Sequence, residues 1–257
     1  MINRIISYLI IIIFLISCEP EEFPIKIDGF INHVQIDLGS DYCYQKYYDI
    51  DDDIVVHENL SIDWDVAFSN QENSIKINSS KYMRVIEFES ISDFQSIDYL
   101  ISNNAWIYDN PNGSLESLSF HSDSAILSKN FFLIDYGYDC LTNHLGYSIM
   151  HIIDYNETSY FIQIIDVDDN NHLQYNNVIE IQKNTNNNWR YYSITNNSFL
   201  DIDNQLWDLC FSRYTAFNVS PPSGNLDPLP TYRVVGVLQN SHISVAIDSI
   251  NNFSDIS

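Results

Sequence analysis

Two stretches of this chain open like a calcium-binding loop. "DVDDNNHLQYNN", from Asp166, and "DIDDDIVVHENL", from Asp49, both place oxygen-bearing side chains at the first, third and fifth loop positions. The later positions do not follow. Asn171 or Ile54 stands where the turn needs glycine, and Asn177 or Leu60 stands where a glutamate should clasp the ion. Both stretches therefore read as solvated turns. The seven histidines are scattered, with no His-Glu-x-x-His pair, and there is no Gly-x-Ser-x-Gly or glycine-rich phosphate loop. Acidic pairs abound in a chain with 35 Asp and Glu, so they carry little information about acid–base catalysis. Nothing in this set argues for an enzyme, and the expectation is a binding protein.

Cysteine chemistry is equally sparse. Cys43, Cys140 and Cys210 follow Cys18, and no two have metal-ligand spacing. Three thiols allow at most one internal disulfide. Buried, unpaired cysteine is the simplest reading for all three.

The elements that would position any site are strands. Aromatic and β-branched residues dominate the apolar set, with 18 Tyr and 14 Phe in 257 residues. The clearest strand signal occurs twice, as "WDVAFSN" from Trp64 and "WDLCFSRY" from Trp207. Upstream lie "KYYDI" from Lys46 and "RYYSI" from Arg190. The spacing from Tyr47 to Trp64 is 17 residues, and from Tyr191 to Trp207 it is 16. Each copy leads to another apolar strand ending in Asn, at Asn78 and Asn240. The pattern predicts an internally duplicated three-strand unit. Alternation predicts Trp64, Val66 and Phe68 in one core and Trp207, Leu209 and Phe211 in its partner, with Asp65 and Asp208 facing away and hydrogen-bonded to neighbouring backbone or to the Ser that follows. Residues 129–137, 147–155, 160–167 and 177–183 also read as strands. A single helix is predicted at 92–102, with Ser92 as its N-cap. Residues 220–230, rich in Pro, read as a loop.

The expected body is an all-β, single two-lobed domain of antiparallel sheets over residues 25–257. Ahead of it, "MINRIISYLIIIIFLISC" has a charged start, a short apolar run and a small residue before Cys18. This resembles a bacterial lipobox. It implies a signal peptide over 1–17, lipidation at Cys18 and an acidic tether over 18–24. The net charge is −24, and loss of residues 1–17 removes one basic residue, Arg4, and no acid. That balance argues against nucleic acid and against a basic membrane-binding patch. Membrane attachment is expected through the lipid alone.

The lipobox, the Tyr-Tyr strand, the Trp-Asp strand and "IKINSSKYM" together resemble the HmuY family of haem-binding bacterial lipoproteins. In the second half, "FFLIDYG", "WDLCFSRYT" and "YRVVGVLQN" resemble its longer members. The resemblance implies an all-β outer-membrane lipoprotein, exposed at the cell surface, that captures haem noncovalently and passes it to a receptor. It puts His121, in "SLSFHSDSAILSKNFFLIDYG", in the role of an axial iron ligand. No histidine lies between Trp64 and His121, so the second ligand has no matching histidine. Met83 is the nearest soft donor. The alternative is the same fold serving as a surface module without haem, recognising glycan or protein through Tyr and Trp. An absorption band with haemin that depends on His121 separates the two.

Overall fold

The computed structural model describes residues 34–111, 114, 118–120, 130–184, 187–203, 206–217 and 231–244. One compact unit runs Gln35–Val245; the other, Met1–Val34 with Ala246–Ser257, has only Val34 among the described residues. The expected leader, the tether with Cys18, and the 220–230 loop lie outside the described residues.

Thirteen strands run in chain order: β1 (Tyr44–Asp49), β2 (Ile54–Leu60), β3 (Val66–Ser69), β4 (Ile75–Ile77), β5 (Arg84–Phe88), β6 (Phe131–Asp135), β7 (Tyr147–Tyr155), β8 (Ser159–Val167), β9 (Leu173–Gln182), β10 (Trp189–Ser193), β11 (Ser198–Leu200), β12 (Leu209–Phe217) and β13 (Thr231–Gln239). A first sheet has the order β13-β12-β1-β2, a second β11-β10-β3-β4, and a third β5-β6-β7-β8-β9. All the strand pairs are antiparallel. The all-β expectation holds, and the four central strand expectations fall on β6 to β9. The run from Asp49 is part turn and part strand: Asp49 Oδ1 accepts the Asp51 and Asp52 amides, and β2 follows.

The helix starts later than its sequence suggests. Helix α1 spans Ile97–Asn103, with Ser96 Oγ accepting the Tyr99 N–H at 3.0 Å as N-cap. Ser92 instead belongs to a 3₁₀ turn, Ile91–Asp93, capped by Ser90. Leu100 of α1 is buried in a cluster with Ile86, Leu133, Ile149 and Ile165 of the third sheet, and Phe94, Ile97 and Ile101 pack against it.

The second sheet is buried on both faces, which explains the unbroken apolar run of β3. Val66 and Phe68 enter a core shared with the third sheet; Ala67 enters a different core shared with the first. Trp64 joins Ala67 and not Val66, contrary to the alternation. The two-residue period holds only within a strand, and β3 begins at Val66, after Asp65 has turned inward. Trp207 likewise precedes β12 and occupies the same cluster as Trp64, while Leu209 and Phe211 are only half-buried. The two tryptophans therefore fill one core, not two.

Strands from the two Trp-Asp stretches also pair with one another. The Tyr-Tyr strand of the first, β1, pairs with β12, and that of the second, β10, pairs with β3. Corresponding residues meet in the same register. Tyr47 is opposite Cys210 and Tyr191 opposite Ala67; Tyr48 is opposite Leu209 and Tyr192 opposite Val66. The supporting hydrogen bonds recur too. The Asp65 N–H donates to Tyr192 O, and the Asp208 N–H to Tyr48 O, both at 2.9 Å. Asn78 Nδ2 donates to Trp64 O at 2.8 Å, and Asn240 Nδ2 to Trp207 O at 2.7 Å.

The aspartates bond backbone as expected, but it is the backbone of the other unit. Asp65 Oδ2 accepts the Ile194 N–H at 2.7 Å, and Asp208 Oδ2 accepts the Ile50 N–H at 2.8 Å. Asp65, 1% exposed, also forms an ion pair with Lys81, itself 1% exposed. Burial holds the Lys81 amine below its ordinary pKa, and Asp65 opposes that shift. Gly137 makes room for this segment: a Cβ there would sit 2.0 Å from Lys81 O, and its φ is +69°.

Asp65→Ala leaves a buried ammonium without a partner and is expected to cost about 3–5 kcal/mol of stability. Asp208→Ala loses one backbone hydrogen bond and a contact to the exposed His242, and is expected to cost about 1–2 kcal/mol. Urea unfolding of the two variants checks this order.

Candidate functional site

Between the first and second sheets lies a cavity of about 320 Å³. Its aromatic walls are Tyr47, Trp64, Trp189, Tyr191 and Trp207; Lys76, Asp109, Cys210 and Arg213 also line it. Lys76 is there because of its strand. Ile75 and Ile77 of β4 face the core shared with the third sheet, so the residue between them faces the opposite way. The Lys76 ammonium lies 4.6 Å from the ring centroid of Trp189, 4.8 Å from Tyr191 and 5.9 Å from Trp64. It donates to Tyr191 Oη at 3.2 Å. Burial lowers its pKa to about 8, a shift that Asp109 and Cys210 partly oppose.

Asp109 forms the acidic wall and is fully engaged by protein donors. It accepts the Ile77 N–H at 2.7 Å, the Ser119 N–H at 2.7 Å and the Ser119 hydroxyl at 2.6 Å. Burial nevertheless raises its pKa to about 6, with those hydrogen bonds pulling the other way. Burial also pushes the Cys210 thiol up to about 12 and the Tyr47 and Tyr191 phenols well above their ordinary range.

Arg213, in the middle of β12, is 9% exposed. Its Nη2 reaches Cys43 Sγ at 3.7 Å, and its Nε has no hydrogen-bond partner among the described residues. The Trp207 indole N–H is also without a partner. Its counterpart, the Trp64 N–H, donates to Gln45 Oε1 at 2.7 Å. In the second unit Trp189 stands where Gln45 stands in the first, two residues before the paired tyrosine, so no side-chain amide is supplied to Trp207.

The residues singled out from sequence fall in different places. Trp64 and Trp207 line the cavity. Asp65 and Asp208 hold the exchanged strands, and Phe68 fills the central core. Phe211 is half-buried against Tyr48, with ring centroids 6.1 Å apart. Met83 is 1% exposed in the central core and is not a cavity wall. His121 lies outside the described residues. The residues just before it do not: Leu118 lines the cavity, Ser119 holds Asp109, and Phe120 is buried in the central core. Lys76, Asp109 and Arg213 are cavity residues that the sequence motifs do not single out. The available signal was a single cation inside each of two apolar strands, "SIKIN" and "LCFSRYTAF".

The family model described as HmuY protein matches residues 41–187, more than half of the chain. The chain belongs to the HmuY family. The match spans β1 to β9 and ends two residues before β10. No curated protein and no solved structure matches the chain. For this HmuY-family chain the cavity can be tested against haem, which needs a flat apolar slot, an axial ligand and partners for its carboxylates. The tryptophan and tyrosine walls fit the first need, and Lys76 and Arg213 fit the third. The axial ligand is not among the described lining residues. None is His or Met, and burial keeps the Cys210 thiol and the tyrosine phenols protonated. About 320 Å³ is near the small end for ligand cavities, so it suits the carboxylate-bearing edge of a tetrapyrrole rather than the whole disc.

Cysteine pairing differs from the simplest sequence reading. Cys43 and Cys140 form a disulfide with Cα atoms 5.6 Å apart, tying the entry of β1 to the turn after β6. Their residues are brought together across 97 positions of sequence, which spacing alone does not reveal. Cys210 is free and buried, as expected. A thiol titration of the Cys18→Ser protein without reductant is expected to find no reactive thiol at pH 8 in the folded state and one in urea. Three thiols in urea would contradict the disulfide.

Proposed function

We propose that this HmuY-family protein binds haem or a closely related tetrapyrrole noncovalently at the cell surface, anchored by lipid at Cys18. The observation that carries the reading is an aromatic cavity with two cations, Lys76 and Arg213, inside a member of this family. Haem brings the redox-active iron and two carboxylates. Lys76 and Arg213 are the residues that would hold the carboxylates, and the tryptophans would cover the ring edge. His121 is the proposed iron ligand on the likeness of its segment to the family's ligand segment; Leu118, three residues earlier in the chain, lines the cavity. Met83, packed in the central core, is left out of this role. No helix among the described residues is long and apolar enough to cross a membrane. Transfer to an outer-membrane receptor is part of the same reading, as is a binding role without catalysis.

A second reading has one observation in its favour. The described cavity offers cations but no iron ligand, which suits an anionic ligand without iron, or the glycan or protein partner of a haem-free module.

Haemin titration of the purified protein separates these readings. The expected result is a saturable Soret band that shifts and weakens at least tenfold in affinity in His121→Ala. A Soret band unchanged by His121→Ala would remove His121 from the iron. No band at all, with β-type circular dichroism intact, would remove haem.

A further inference from the structure

The cavity has an unbalanced charge. Among the described residues, no carboxylate lies within 4.0 Å of the Lys76 or Arg213 nitrogens; the ion pairs found involve other groups. Asp109 borders the same space, but its oxygens are taken by Ile77 and Ser119. Asp109 acts on Lys76 only through space, and against two buried cations it leaves one positive charge in excess, which is costly. The cost is more pointed in a chain with net charge −24 and only 11 Lys and Arg, where carboxylates are easy to supply. Beside these cations, the Trp207 N–H and the Arg213 Nε are buried donors with no acceptor among the described residues. The rings of Tyr47, Trp64, Trp189, Tyr191 and Trp207 supply flat aromatic wall, among aliphatic and amide side chains such as Leu238 and Asn78.

We propose that this cavity is a receptor for a small planar organic anion, an aromatic carboxylate of about two fused rings, with the carboxylate on Lys76 and Arg213 and the ring among Trp64, Trp189 and Trp207. The inference rests on the cavity being the ligand site, as in the reading above, but on neither iron nor His121. A carboxylate supplies acceptors for the Arg213 Nε and the Trp207 N–H and a negative charge for the Lys76 ammonium, whose hydrogen-bond acceptor is the neutral Tyr191 hydroxyl. Flat aromatic walls favour a flat body. The volume of about 320 Å³ holds such a molecule entirely, whereas a porphyrin enters only by an edge.

Equilibrium dialysis of the purified protein with 2-naphthoate and with 2-naphthylmethanol, the same ring without the charge, tests this. At pH 6.5 the naphthoate is expected to bind at least tenfold more tightly than the alcohol. Lys76→Met is expected to remove that preference. Should Lys76→Met fail to fold, the wild-type protein gives the answer by pH. Between pH 7 and 9.5 the Lys76 ammonium, with its pKa near 8, loses its proton. Of the groups facing it, Asp109 is already ionised there, Cys210, Tyr47 and Tyr191 stay protonated, and Arg213 stays charged. Naphthoate affinity should fall across that window while that of the alcohol holds. Equal binding of the two probes, binding of neither, or a preference untouched by Lys76→Met and by pH would overturn the proposal. Haemin binding without naphthoate binding would overturn it and leave the haem reading standing.

Discussion

The fold depends on a carboxylate that follows a tryptophan and catches a strand end from the other half of the chain. Asp65 does this for Ile194, and Asp208 does it for Ile50. Each anchor fixes where a Tyr-Tyr strand ends and therefore its register against the facing Trp-Asp strand. Because both strands are exchanged, the two tryptophans cannot retreat into separate cores. They meet, with Tyr47 and Tyr191, on the inner faces of two adjacent sheets. A buried carboxylate tolerates this position only with several donors, and Asp65 has them in Lys81 and the backbone after β10.

The candidate site arises where the two units stop matching. Lys76 pairs with Ala67 as Leu238 pairs with Cys210, so a cation in one unit occupies the place of an aliphatic side chain in the other. Gln45 and Trp189 hold corresponding places, which satisfies one indole N–H and strands the other. Lys76, Leu238, Gln45, Trp189 and Cys210 all line the cavity. A different mismatch is structural: Lys81 stands three residues after Asn78, whereas Ile243 stands three after Asn240. Only the first unit therefore has the buried ion pair, which makes Asp65 the more heavily committed of the two anchors.

Much of the architecture was legible. Long strands with clear apolar patterning, β7, β8 and β13, stand nearly where the sequence places them. The failures have specific causes. Trp64 and Trp207 sit just before their strands, where period-two reasoning has no hold. Several serines precede the same apolar stripe; the sequence reading places the cap at Ser92, and tertiary packing selects Ser96. The exchange of strands between units is invisible to spacing, since either pairing satisfies the same pattern. The site was the least legible part. Lys76, Asp109 and Arg213 are far apart in sequence, and each looks ordinary until β4, β12 and the segment after α1 surround one space.

The most direct test of the account is a crystal structure of the protein grown with haemin, with iron located by its anomalous scattering. The account predicts carboxylates within hydrogen-bond distance of Lys76 and Arg213 in the cavity between the first two sheets, and iron bonded to the His121 imidazole. Haem bound at another surface, with Lys76 and Arg213 left without an anionic partner, would contradict it.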